Sequence, residues 1–110
     1  MLTVTTQNLG EATILRCSGR IVRGDETAIL CAAVQQQERN VMLDLTEVES
    51  IDAAGIGLLV TLQAAGYYLT LINPTAQVRE VLRVTKVDSI LEICEAQPEQ
   101  DFAVEFTAIA

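Results

Sequence analysis

The sequence contains no histidine, and this absence excludes several kinds of site at once. Histidine is the usual base that activates a serine or cysteine nucleophile, the commonest general base, and a frequent zinc ligand. Tryptophan is also absent, and the aromatic residues are 2 tyrosines and 2 phenylalanines, a poor supply for platforms on which nucleobases stack. The chain therefore has few means of catalysis or of zinc binding, and we expect a protein that is not an enzyme and holds no cofactor.

Positive charge is scarce as well. Lys and Arg together number 7 against 15 Asp and Glu, which gives a net charge of −8. Proteins that bind nucleic acid neutralise phosphates with basic side chains, and anionic membrane surfaces attract the same side chains. The basic residues of this chain form no block of adjacent charge. Nucleic acid and anionic membranes are thus disfavoured partners, whereas a basic patch on another protein would be attracted.

Long apolar runs are missing too. No stretch resembles a membrane-spanning helix of about 20 apolar residues, and residues 1–6 lack the basic region and apolar run of a secretory leader. We therefore expect a cytoplasmic protein without membrane insertion. The 110 residues show no internal repeat and no linker-like run, so we predict a single domain over residues 1–110.

Cysteine is present three times, as Cys17, Cys31 and Cys94. The number is odd and no pair has Cys-x-x-Cys spacing, so a disulfide framework or a dithiol redox site is not indicated. All three lie in apolar patterns, which predicts buried thiols with raised pKa values and low reactivity. An enzyme or a thiol sensor built on one of these cysteines stays open as an alternative.

The hydrophobic pattern predicts an α/β domain. Strands are predicted at residues 2–6, 13–18, 41–45 and 68–72, with a short edge strand at 90–94. Helices are predicted from Asp25, from 54 or 55 to 65, from Asn73, and over 97–108, where Phe102 and Phe106 are four residues apart. Asp25 and Asn73 are the expected N-caps of the first and third helices, and Gly19 is expected to close the second strand. This order favours a mixed sheet of four to five strands flanked by about four helices.

Most of the chemical information lies in residues 44–57, which contain a predicted acidic loop at 46–54. Gly55 and Gly57 form only half of a dinucleotide-binding fingerprint, and no P-loop is present. Four carboxylates without a base also oppose phosphate binding at a helix start; they are Asp44, Glu47, Glu49 and Asp52.

These carboxylates leave three interpretations. Asp44 and Asp52 could form an acid–base pair if they converged, and the four carboxylates together could hold a hard cation. Alternatively, the loop is simply solvated, Asp52 caps the second helix, and the glycines allow close packing of the helix against the sheet.

A family resemblance narrows the choice. Residues 41–59 read VMLDLTEVESIDAAGIGLL, and residues 71–82 read LINPTAQVREVL. These runs resemble the STAS domain family, whose members typically have two apolar residues before Asp-Leu, then an apolar-Asp-Ser-x-Gly-Leu-Gly signature, then an Asn-Pro or Ser-Pro helix start. The resemblance covers about residues 10–95 and implies a STAS-like fold that acts by docking rather than by catalysis.

The family includes the bacterial anti-sigma factor antagonists, and for these the resemblance implies a switch. The serine after the signature aspartate is phosphorylated by a kinase that is itself the anti-sigma factor, and the added charge abolishes docking. In this chain that position is Ala53, which has no hydroxyl, and the nearby Ser50 and Thr46 do not match it. The implied function is a non-catalytic regulatory module that binds its partner constitutively. The implied partner-binding residues are Asp52, Ala53, Ala54, Gly55, Ile56 and Gly57.

Two further partners follow from the same resemblance and pattern. STAS-like proteins also occur as accessory subunits of ABC transporters and in other multiprotein complexes, so a transporter ATPase is the alternative to an anti-sigma factor kinase. The first strand, at residues 2–6, is an expected edge strand, through which two copies could pair as a homodimer.

Overall fold

The computed structural model describes residues 1–10, 12–37 and 40–95. These ranges contain five strands, three α-helices and a short 3-10 helix at Val87–Ser89. The α-helices and strands are β1 (Leu2–Asn8), β2 (Thr13–Ile21), α1 (Asp25–Gln35), β3 (Asn40–Ile51), α2 (Ala53–Ala64), β4 (Tyr68–Ile72), α3 (Ala76–Val84) and β5 (Glu92–Cys94). The predicted α/β class is confirmed. The fourth predicted helix, at 97–108, lies outside the described residues.

The five strands form one mixed sheet in the order β1-β2-β3-β4-β5. β1 and β2 pair antiparallel, whereas β2, β3, β4 and β5 are parallel to one another. Each parallel pair is connected through one of the three α-helices, as parallel strands require a crossover. Strand side chains such as Leu15, Leu43 and Leu71 form the main core with helix residues such as Leu30 and Leu59. Their burial is the principal driving force for this arrangement.

The acidic loop predicted at 46–54 is wrong, because β3 continues to Ile51. The strand was missed since its buried residues Leu45, Val48 and Ile51 are three apart, whereas a regular strand buries every second residue. Two irregularities in the pairing with β2 each give β3 one extra residue, and these bulges turn the next apolar side chain back toward the core. The carboxylates at 47 and 49 therefore lie on a strand.

The second strand also extends further than predicted. Gly19 does not close β2, which continues to Ile21. Gly19 has a φ of 118°, and a Cβ built on it would lie 2.0 Å from the carbonyl oxygen of Met1. The same oxygen accepts a hydrogen bond of 3.1 Å from the backbone N–H of Arg20. Only glycine lets the start of β1 approach β2 this closely.

Two of the predicted helix caps are wrong. The N-cap of α1 is Gly24, and Asp25 is the first helical residue. At that position the negative charge of Asp25 still interacts favourably with the helix dipole. Asn73 has a left-handed φ of 52°, and α3 is capped instead by Thr75. The Thr75 hydroxyl accepts from the backbone N–H of Val78 at 3.4 Å and donates to the carbonyl oxygen of Val48 at 2.9 Å. This second bond ties α3 to β3.

The three cysteines are free but differ in burial. The prediction is correct for Cys17, which is buried and whose pKa is raised to about 12 by desolvation and, to a smaller extent, by the charge of Asp44. Cys31 is half-buried. The prediction is wrong for Cys94, which is exposed because it ends the short edge strand β5.

Candidate functional site

The carboxylate of Asp52 joins two elements at the end of β3. Its Oδ1 accepts a hydrogen bond of 2.9 Å from the backbone N–H of Gly55, which makes Asp52 the N-cap of α2. Its Oδ2 accepts a hydrogen bond of 3.0 Å from the backbone N–H of Arg23, in the loop between β2 and α1. The interpretation of Asp52 as a helix cap is therefore confirmed, and the same side chain also fixes the neighbouring loop.

These hydrogen bonds determine the charge of Asp52. The backbone N–H of Arg23, and next that of Gly55, lower the pKa of the Asp52 carboxyl below its usual value. The side chain is consequently ionised at neutral pH. It places a fixed negative charge at the start of α2, where the helix dipole favours it.

Gly55 and Gly57 have different roles. A Cβ built on Gly55 would lie 2.4 Å from the carbonyl oxygen of Ile21 and 2.7 Å from Cγ1 of Ile51, so this glycine allows α2 to pack directly against the ends of β2 and β3. Nothing lies within 4 Å of a Cβ built on Gly57, which is exposed. Gly57 is therefore not required by packing, and its lack of a side chain leaves the helix backbone accessible.

The six predicted partner-binding residues divide into a surface set and a buried set. Ala53 and Gly57 are exposed, and Asp52 and Ala54 are half-buried. Gly55 and Ile56 are buried, so they can position the surface without contacting a partner. The structure thus places the six residues together at the start of α2 and shows which of them are accessible; their role in binding stays a prediction.

The exposed side of α2 extends beyond the predicted residues. Thr61 and Ala64 are exposed and follow Ala53 and Gly57 at helical spacing. We refer to Ala53, Gly57, Thr61 and Ala64 as the α2 patch. α2 contains no charged residue, so the patch consists of small, neutral side chains in a chain whose net charge is −8. Ala53, Gly57 and Thr61 follow one another at intervals of four residues, and this spacing in the sequence could have identified Thr61.

The structure does not bring Asp44 and Asp52 together as an acid–base pair. Asp44 accepts a hydrogen bond of 2.6 Å from the hydroxyl of Thr46 and lies 3.6 Å from the guanidinium of Arg16. Asp52 has the separate backbone partners given above. Within residues 1–10, 12–37 and 40–95, no three Cys, Asp or Glu side chains are grouped so that they could hold a metal ion. In the same ranges no helix is long and apolar enough to cross a membrane.

The family model described as "Mlab, STAS domain" matches residues 4–92, most of the chain. The chain belongs to the STAS domain family. The resemblance seen in the sequence is thereby confirmed. Two relatives from Thermotoga neapolitana and Thermotoga maritima, both named as anti-sigma factor antagonists, are 32% identical to this STAS protein over 63 residues. The matched region covers 54% of this chain and 56% of each relative.

Solved structures agree on the fold. The crystal structure of an anti-sigma factor antagonist from Thermotoga maritima superposes with a TM-score of 0.74 and 22% identity, over 96% of this chain and 94% of that one. An antagonist from Mycobacterium paratuberculosis gives a TM-score of 0.73 and 16% identity, over 99% and 94% of the two chains. Unphosphorylated SpoIIAA, also an anti-sigma factor antagonist, gives 0.66 and 17%, over 98% of both chains. At these identities the likeness establishes a shared fold.

Proposed function

We propose that this STAS protein is a non-catalytic regulatory module that binds another protein through the α2 patch and the adjoining carboxylate of Asp52. The observation that carries the proposal is the position of Ala53, which is exposed as the first residue of α2, directly after the signature aspartate. The names of the Thermotoga relatives, which describe anti-sigma factor antagonists, support a regulatory role.

The composition of the α2 patch suits protein docking. Its side chains are hydrogen, methyl groups and one threonine, so a partner can approach the helix backbone closely. The carboxylate of Asp52 adds a negative charge at the start of the helix, and its geometry is fixed by two hydrogen bonds. A partner with an apolar centre and a basic group beside Asp52 would complement this surface.

The methyl group of Ala53 determines how the binding is regulated. A serine at this position could accept a phosphate, which would add about two negative charges at the centre of the contact. Alanine cannot accept one, and in size it resembles unmodified serine. Binding is therefore constitutive at this position, and regulation comes from the abundance of the protein or from a competing antagonist.

The proposed partner is an anti-sigma factor of the kinase type. The test is a pull-down in which the immobilised protein captures such a kinase from the cells that produce both proteins. The wild type is compared with Ala53→Ser, Ala53→Asp and Val84→Asp, each with and without ATP. Val84 is exposed on α3, so Val84→Asp adds a charge away from the α2 patch. We expect the wild type and Val84→Asp to bind whether or not ATP is present. Ala53→Asp should not bind, and Ala53→Ser should be phosphorylated and released when ATP is added.

Two outcomes would contradict this assignment. If Ala53→Asp and Val84→Asp bind equally well, the contact does not include the start of α2. If ATP releases the wild type and phosphate is found on Ser50 or Thr46, binding is not constitutive. Ser50 is half-buried in β3, and the hydroxyl of Thr46 donates to Asp44, so both are poorer acceptors than a residue at position 53 would be.

The second candidate is an accessory subunit of an ABC transporter or of another multiprotein complex. The absence of a hydroxyl at Ala53 favours this role as much as the first one, since a permanently bound subunit needs no phosphorylation at this position. Capture of a transporter ATPase by the wild type, lost in Gly57→Arg and retained in Val84→Asp, would support this role. If an anti-sigma factor is captured instead, and is likewise lost in Gly57→Arg and retained in Val84→Asp, the result would support the role as an antagonist.

Self-association through β1 is a further part of the proposal. β1 is an edge strand of 7 residues without a charged side chain, and it lacks the lysine or proline that usually protects such an edge. Two copies could pair their β1 strands antiparallel. Analytical ultracentrifugation should show a dimer that Thr5→Lys converts to a monomer, whereas a monomeric wild type would exclude this pairing.

A further inference from the structure

Two hydrogen bonds show which backbone groups of the edge strand β1 point away from the sheet. The backbone N–H of Arg20 donates to the carbonyl oxygen of Met1 at 3.1 Å, and that of Leu9 donates to Ala12 at 2.8 Å. Both pairs continue the antiparallel register of β1 with β2, in which hydrogen-bonded and non-hydrogen-bonded pairs alternate. The odd-numbered residues therefore direct their backbone groups toward β2. The residues whose backbone groups point outward from the edge are Leu2, Val4, Thr6 and Asn8.

The same four residues share the helix side of the sheet, and this side of β1 is covered unevenly. α1 packs against β1. Leu2 is buried and Val4 is half-buried, and we call these two the covered half of β1. Thr6 and Asn8 are exposed and form the open half. A strand of the same pattern, placed antiparallel beside β1, would have its open half next to the covered half.

Ile29 of α1 is an exposed apolar side chain beside this edge. Glu26, in the first turn of α1, lies 2.9 Å from the α-amino group of Met1 at the start of β1. Residues three apart are neighbours on a helix surface, so Ile29 is on the same side of α1 as Glu26. The Ile29 side chain is 44% exposed. An apolar group thus borders the covered half of β1 on the helix side of the sheet.

We propose that a second copy of this chain pairs with β1 in one register, with Thr5 of each copy at the two-fold axis. The inference rests on the self-association proposed above and gives it a geometry. In this register Leu2 lies opposite Asn8 of the second copy, and Val4 lies opposite Thr6. All the outward-pointing backbone groups of both strands are then paired. A shift of the register in either direction leaves the groups of Leu2 or Asn8 without a partner in the other β1.

The side chains of β1 support a second copy as the occupant of this edge. None of the residues Leu2–Asn8 is charged, so self-pairing places no like charges opposite each other in a chain whose net charge is −8. Thr5 meets Thr5 of the second copy, and threonine pairs are favourable across antiparallel strands. Antiparallel pairing of the same edge keeps the helices of both copies on one side of the joint sheet. Ile29 of each copy then lies beside the open half, Thr6 and Asn8, of the other.

Disulfide trapping tests the register in a Cys94→Ser background, which removes the exposed native thiol. Thr5 would face its own copy in a non-hydrogen-bonded pair with Cα atoms about 4.5 Å apart, a distance that a disulfide spans. We expect Thr5→Cys to give a disulfide-linked dimer under mild oxidation. Thr3→Cys is the matched control, since its two copies would be about 14 Å apart along the strands, at about 3.4 Å per residue. It should cross-link only when it is mixed with Gln7→Cys, the residue opposite.

The outcomes separate the register from self-association itself. If Thr3→Cys alone cross-links as well as Thr5→Cys, the register is wrong, and analytical ultracentrifugation of the wild type shows whether a dimer exists all the same. A monomeric wild type would overturn both the register and self-association. Neither result affects the α2 patch, which is tested separately by capture of its partner.

A charge at position 29 tests the contact on the helix side. Ile29→Glu should raise the dissociation constant of the dimer by about tenfold or more, because the two-fold axis introduces the charge twice. Ile90→Glu is the matched control, since Ile90 is 53% exposed just before β5, at the other edge of the sheet. It should leave the dissociation constant unchanged. Equal dissociation constants for the two variants would show that Ile29 does not contact the second copy.

Discussion

The carboxylate of Asp52 and the backbone N–H of Arg23 are 29 residues apart in the sequence and form a hydrogen bond of 3.0 Å. This bond connects the start of α2 to the loop between β2 and α1. Because the other oxygen of Asp52 caps α2, one side chain fixes both elements beside Ala53. The geometry of the proposed docking surface thus depends on a residue whose first role is structural.

Removal of this carboxylate should destabilise the fold. Asp52→Ala loses the helix cap and leaves the N–H groups of Arg23 and Gly55 without this acceptor, so we expect the free energy of unfolding to fall by about 1–2 kcal/mol. Urea denaturation measures the change. Thr61→Ala, at an exposed position of the same helix, should change the free energy by less than about 0.5 kcal/mol. Equal effects of the two substitutions would show that the cap is not important.

The contribution of Asp52 should depend on pH in a defined direction. Its pKa is lowered in the folded state, so its stabilising effect is complete above the ordinary value of 3.8 and is lost as pH falls through the lower folded value. Asp52→Asn keeps an acceptor oxygen but cannot ionise. The difference in unfolding free energy between the wild type and Asp52→Asn should be constant near neutral pH and shrink in acid. A difference that does not change with pH would contradict this role of the charge.

The two glycines of α2 should respond differently to the same substitution. Gly55→Ala places a methyl group against the carbonyl oxygen of Ile21 and should destabilise the fold by about 1–3 kcal/mol. Gly57→Ala places its methyl group in open space on the helix surface. It should stabilise the fold by about 0.5–1 kcal/mol, since alanine is the better helix former. Thermal or urea unfolding of both variants measures this. Similar losses for both would mean that Gly57 is also packed.

How far the sequence predicted the fold can be seen from β3 and α2. Asp52 was recognised as a cap because the chemistry of helix starts is local, and the order of strands and helices followed from the apolar pattern. The second half of β3 was not recognised, since its two bulges depend on pairing with β2 and interrupt the period of two. The burial of Gly55 and Ile56, next to the exposed Ala53 and Gly57, was likewise not predictable. For Gly55 it depends above all on the contact with Ile21 of β2, which is distant from Gly55 in the sequence.

The exposure of the three thiols predicts a clear order of reactivity. Cys94 is exposed on edge strand β5, Cys31 is half-buried, and Cys17 is buried with a pKa raised to about 12. Because the thiolate is the reacting species, burial slows Cys17 both by blocking access and by keeping the thiol protonated. An aromatic disulfide reagent under native conditions should react fast with Cys94, more slowly with Cys31, and with Cys17 only on unfolding. Cys94→Ser should remove the fast phase and leave the others unchanged, whereas a fast phase that survives this substitution would show that Cys17 or Cys31 is accessible in the native protein.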